Sequence, residues 1–89
     1  MVHLLKIKQC YLYHILEGRK QFEIRKNDRD FQVGDVIQFL PIEDSNYNIY
    51  DLVESVPYFR ITYIHHGLGM QKNYVCISIE PQLKKYTVV

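Results

Sequence analysis

Gly18-Arg19-Lys20-Gln21-Phe22-Glu23-Ile24-Arg25-Lys26-Asn27-Asp28-Arg29-Asp30-Phe31-Gln32-Val33-Gly34-Asp35 is the stretch from which the rest of this chain is read. It opens on a glycine suited to the left-handed backbone just past a helix end. Arg19 and Lys20 then fall near the negative end of the helix dipole. Residues 21–26 alternate. That predicts a strand with Phe22 and Ile24 entering the core and Gln21, Glu23 and Arg25 side by side on the opposite face. Asn27-Asp28 and Val33-Gly34-Asp35 are turn signals.

On the N-terminal side, Leu5 and Ile7 share one face of a first strand, residues 3–7. The pattern changes over Gln9–Glu17, where Tyr11, Leu12, Ile15 and Leu16 make an apolar helical stripe. On the C-terminal side, Val36–Leu40 reads as a strand, with Pro41 at its end or at an edge position. Residues 43–48 read as an exposed loop, and residues 49–56 fit a strand or a short helical turn. Tyr58–Ile64 alternates with Phe59, Ile61 and Tyr63 on one face. Tyr74–Glu80 alternates with Val75, Ile77 and Ile79, and Pro81 ends it. His65–Gly69 is a loop, and the tail from Lys84 to Val89 adds an edge strand or frays. Several short strands and one early helix predict α+β: a small, mostly antiparallel β-barrel, with the helix of the N-terminal half packed over an opening.

The 89 residues suffice for one domain, residues 1–89, with one compact core. A hydrophobic content of 47% argues against disorder, and eight tyrosines suit a small barrel whose rings pack while their hydroxyls reach solvent. The net charge of +1 predicts no partner, but its distribution is uneven. Residues 18–29 carry five basic and two acidic groups, whereas residues 30–59 carry six acids and no base. A basic face attracts phosphates; an ordinary solvated surface is the plainer account. Cys10 and Cys76 match no metal spacing and no disulfide framework, and both read as small reduced core residues. The opening Met1–Lys6 is no signal peptide and no run approaches a membrane span, so a soluble, cytoplasmic protein is expected.

The order strand, helix, Gly18-x-Lys20-x-x-Glu23-x-Arg25, then Val33-Gly34-Asp35 resembles the ASCH domain of the PUA-like superfamily of small β-barrels. The run Phe22–Asp35 is similar to a narrower group of small bacterial and phage proteins of unknown function. So are His3–Ile7, Ile61–Ile64, Gly67-Leu68 and Tyr74-Val75, and the likeness extends over roughly residues 3 to 79. The resemblance implies a PUA-like barrel that binds RNA in a cleft between helix and barrel, lined here by Lys20, Glu23 and Arg25. One small ASCH-like group is instead an amidohydrolase acting on acetylated cytidine, with a lysine, a threonine three residues later and a glutamate before the last strand. Here Lys20 matches, Glu23 stands at the threonine position, and no acidic residue lies between Ser55 and Ile79.

Lys20, Glu23 and Arg25 are therefore the candidate site, a polar cleft whose cations meet phosphates or base edges. The structural alternative is an ion pair fixing the corner between helix and strand. Arg19, Lys26 and Arg29 stand at the rim as phosphate contacts or as solvated charges. Tyr11, Tyr13 and Phe31 fit base stacking or core packing. His65-His66, His3 and His14 lack a well-spaced third ligand, so no metal and no cofactor is expected. Cys10 and His14, four apart on the helix, suit packing better than a catalytic dyad. An RNA- or nucleotide-binding module without catalysis is the favoured reading. The alternatives are a small amidohydrolase or RNA-processing enzyme with Lys20 as nucleophile or base, and a protein-interaction regulator using the acidic residues 30–59.

Overall fold

The computed structural model describes residues 1–42 and 56–82. The loop expected at 43–48, most of the segment 49–56 and the C-terminal tail lie outside them, as do four of the six acids of the acidic stretch. The described chain is α+β. Strand β1 (Val2–Lys8) runs directly into helix α1 (Gln9–Leu16), followed by β2 (Phe22–Lys26), β3 (Val36–Ile42), β4 (Tyr58–His65) and β5 (Tyr74–Gln82). The strands form one five-stranded sheet in the order β1-β3-β4-β5-β2. The sheet is mixed: β1 and β3 are parallel, and the other three pairs are antiparallel.

Alternation in β1 buries His3, Leu5 and Ile7, and the helix buries Leu12 and Ile15. These meet Ile37, Phe39, Phe59, Ile61, Val75, Ile77 and Ile79 in one cluster. The other half of the expected helical stripe is not core: Tyr11 and Leu16 are exposed. Gly18 ends the helix as its position predicts, with φ +82°. Its N–H donates to Ile15 O at 3.0 Å and Arg19 N–H to His14 O at 3.1 Å, the paired bonds of a Schellman motif. Beyond Ile37, β3 has no described partner on its β4 side, so Pro41 sits in the strand at an edge without breaking a ladder. In β5 likewise the strand continues through Pro81 to Gln82.

One strand, and another beyond its bulge, present faces opposite to expectation. In β2, Phe22 and Ile24 are 41% and 52% exposed while Glu23 is 5% exposed. Register with β5 is the cause: Glu23 stands opposite Ile77 and Arg25 opposite Val75, both core residues, whereas Phe22 and Ile24 oppose Ser78 and Cys76. In β4 the pairing Ile61–Ile79 is followed by Tyr63–Ser78, so Thr62 is an extra residue in a bulge. The bulge reverses the alternation. Tyr63 turns outward at 61% exposure, and Ile64 packs against the core. Cys10 and Cys76 are half-buried rather than core, and neither is in a disulfide.

The turn into β3 is built on Asp35. Gly34 takes φ +95°, and the Asp35 carboxylate accepts from the Gln32 backbone N–H at 3.0 Å and from His3 Nε2 at 2.8 Å. Burial pushes the Asp35 carboxyl upward. The His3 and Gln32 hydrogen bonds, with the N-terminal ammonium nearby, outweigh it and hold the group below its ordinary 3.8.

Candidate nucleic-acid interface

The sheet curls, and its two end strands, β1 and β2, face each other across an open seam. No described backbone ladder joins them. Two guanidinium groups reach across instead. The Arg25 side chain donates to Lys6 O and Arg29 Nη1 donates to Leu4 O at 3.1 Å. Leu4 and Lys6 are two apart, so their carbonyls point along the same edge of β1. A side chain reaches farther than a backbone amide, so this closure holds the edges apart and leaves a groove.

That groove has a volume of about 310 Å³ and is lined by Lys6, Lys8, Tyr11, Arg25, Lys26 and Tyr74, with Glu23 among its other residues. Among the described residues Glu23 is its sole acid, and both oxygens are engaged: Oε1 accepts from Lys20 Nζ at 2.7 Å and Oε2 from Arg25 Nε at 3.0 Å. A carboxylate taken this far from water requires such partners. Lys20 Nζ also donates to Phe22 O at 2.8 Å and lies 4.7 Å from the centre of the Phe22 ring. Two lysine ammonium groups lie near the Tyr11 ring, Lys20 at 5.4 Å and Lys8 at 5.7 Å from the ring centre. Phe22, Lys20, Tyr11 and Lys8 are thus linked by successive cation–ring contacts, with both rings more than two-fifths exposed.

The candidate residues separate by surroundings. Lys20, Glu23 and Arg25 converge, closing on one another through Glu23. Arg19 does not join them: it is exposed and held by Glu17 at 2.8 Å and His14 at 3.2 Å. Arg29 is committed to the seam. Lys26 is exposed, lines the groove and has no ion-pair partner among the described residues. Of the aromatic candidates, Tyr11 and Tyr13 are exposed, whereas Phe31 is core, edge-on to His3 at 4.8 Å. Sequence reasoning missed Lys6, Lys8 and Tyr74. The first two sit at outward positions of β1 and their periodicity marks them as exposed, but nothing local says that β2 lies across from them. Among the described residues no three histidine, cysteine, aspartate or glutamate side chains cluster as a metal site, and no helix is long and apolar enough to cross a membrane.

A family model described as a domain of unknown function, DUF3850, matches residues 2–79. The chain belongs to the DUF3850 family. No curated protein matches it. The matched span runs from the first residue of β1 to Ile79 in β5. The DUF3850 domain therefore includes both edges of the seam, the helix and the Lys20–Glu23–Arg25 cluster.

Proposed function

We propose that this DUF3850 domain is a cytoplasmic RNA- or nucleotide-binding module without catalysis of its own, and that the seam groove is its binding surface. The ASCH resemblance of Gly18–Asp35, and with it a PUA-like barrel, is part of the same reading. The observation that carries it is Tyr11: an exposed ring with two ammonium groups at 5.4 and 5.7 Å from its centre, at a groove whose other charges among the described residues are Lys6, Arg25 and Lys26 around one neutralised carboxylate. Rings interleaved with cations serve single-stranded nucleic acid, with a base stacking on the ring and phosphates meeting the cations. Glu23 orients Lys20 and Arg25 in this scheme and touches no phosphate itself. Arg25 contributes to the field of the groove while its donors remain on Glu23 and Lys6. Lys8 and Lys26 supply the mobile phosphate contacts, and Arg19 and Arg29 add to the field at longer range.

The test is fluorescence anisotropy with a labelled hexauridylate over a series of salt concentrations. Each phosphate contact contributes about 0.7 to the slope of log affinity against log salt for single strands. Lys26→Ala is expected to weaken binding and reduce that slope by about 0.7, and Tyr11→Ala to weaken binding with the slope unchanged. Binding indifferent to salt and to both substitutions refutes the proposal.

A further inference from the structure

A second and larger cavity, of about 650 Å³, lies at the end of the sheet where β2 and β4 finish and β5 begins. Its volume is in the range of small-molecule sites, about 300–1,000 Å³. One wall is the chain after β2 and the other is the β4–β5 loop. The walls are tied by Asn27 N–H donating to Asn73 O at 2.8 Å. Within each wall Asn27 Oδ1 accepts from Phe31 N–H at 3.2 Å and Gln71 O from Tyr74 N–H at 3.0 Å. The walls are thus built before any ligand arrives.

Four carboxamides line this cavity, Asn27, Gln32, Gln71 and Asn73, and the side chains of Gln71 and Asn73 make no hydrogen bond to another described residue. A carboxamide offers a donor and an acceptor in one plane, the arrangement that reads a base edge with two bonds. Formal charge is near balance, with Asp30 on one wall and Lys72 on the other. Phe31, Ile64, Met70 and Val75 add apolar lining against which a ring can pack. Asp30 and Asn73, on opposite walls, are the two non-glycine residues with positive φ among the described residues, at 50° and 67°. Backbone held in this way is concentrated at ligand clamps. Tyr74 lines both this cavity and the seam groove, so the two spaces share a wall.

We infer that the end cavity receives an unpaired nucleobase, read by Gln71 and Asn73, from the strand whose phosphates lie in the seam groove. This rests on the reading of the groove as a nucleic-acid surface. The groove supplies affinity without sequence preference; the cavity supplies the preference. Tyr74 stands where the chain passes from one to the other.

The full chain, labelled with ¹⁵N, is titrated with each of the four ribonucleosides while the side-chain amide signals of Gln71 and Asn73 are followed. Anisotropy is measured in parallel on four homohexanucleotides. At least one nucleoside is expected to move both signals, and the hexanucleotides to differ in affinity by about tenfold, as one bidentate base contact allows. Gln71→Ala combined with Asn73→Gly, the glycine chosen because it accepts the left-handed backbone, reduces that spread to about twofold and leaves the salt slope intact. Carboxamide signals unmoved by every nucleoside, and by a hexanucleotide that does bind, overturn the cavity inference while the groove reading stands. Moved signals without salt-dependent hexanucleotide binding sink the groove reading and leave the cavity as a nucleoside site. Because the signals are read on the native chain, failure of the double variant to fold leaves the inference open to refutation.

Discussion

Arg25 is the residue whose removal best tests the seam. Its guanidinium satisfies one oxygen of a buried carboxylate through Nε and the Lys6 carbonyl of the facing edge strand through Nη2. Arg25→Met keeps much of the aliphatic stem and removes both bonds. Hydrogen bonds from a charged group contribute about 1.5–3 kcal/mol each. Two considerations lower the total. Glu23 retains Lys20 at 2.7 Å, and the Arg25 side chain is 24% exposed, so water can reach the abandoned Lys6 carbonyl. The expected loss is about 2–3 kcal/mol, below the sum of about 3–6 kcal/mol for two bonds at full strength. For a domain of this size each kcal/mol moves the thermal midpoint by about 4–8 °C, so the midpoint falls by about 10–20 °C. Arg25→Lys, which cannot span both partners, recovers about half of the loss. In a Glu23→Gln background the same Arg25→Met change costs only about 1 kcal/mol, because the charge it compensated has gone. Urea unfolding of the five chains (the parent, the three single variants and the double variant), with amide exchange of β2 as a local readout, measures all of this. An Arg25→Met chain within about 0.5 kcal/mol of the parent, the range of an ordinary surface substitution, shows that the guanidinium bridge does not hold the seam.

Two further predictions address the reversed strand and the β3 turn. Ile24→Asp is expected to leave stability within about 0.5 kcal/mol, because Ile24 lies on the outer face. Ile77→Ala on the neighbouring strand costs about 2–5 kcal/mol; chemical denaturation giving the opposite order overturns the assigned register. The Asp35 carboxyl is held below its ordinary 3.8 in the folded chain, so its contribution is present above the unfolded value and disappears as pH falls through the folded one. Urea midpoints taken from about pH 6 down to about pH 2 should therefore fall less steeply for Asp35→Asn than for the parent, and equal slopes refute the assignment.

The ASCH resemblance drew attention to Lys20, Glu23 and Arg25 together, and the structure brings those three side chains into contact. What they do there differs from a simple polar cleft. Glu23 is spent on its two cations, Arg25 is shared with the opposite strand, and the cations left to the groove are the less conspicuous Lys6, Lys8 and Lys26. Spacing along the chain could mark Lys6 and Lys8 as outward residues of β1, but not as neighbours of β2, because β1 and β2 lie at opposite ends of the sheet order. The end cavity was equally hidden, since its walls are two loops separated by more than thirty residues.

Local patterning by itself determined a good deal. It established the strand nature of residues 2–8, 22–26, 36–42, 58–65 and 74–82 to within a few residues, the helix beginning at Gln9, its stop at Gly18 and the turn at Gly34. These follow from backbone preferences and from the period of apolar residues, which are properties of short segments. Only the tertiary structure decided which face of β2 is inside. In isolation Phe22 and Ile24 are the better core residues. Their burial, however, is set by pairing with β5, and a shift of one residue exchanges every side chain between faces. The buried position goes to Glu23 because Lys20 from the helix–strand corner and Arg25 beside it both bind its carboxylate there. The stretch Gly18–Asp35 thus carries its own strand and turns, while the seam that it closes, the groove that results and the burial of its one central acid exist only once β1 and β5 are in place.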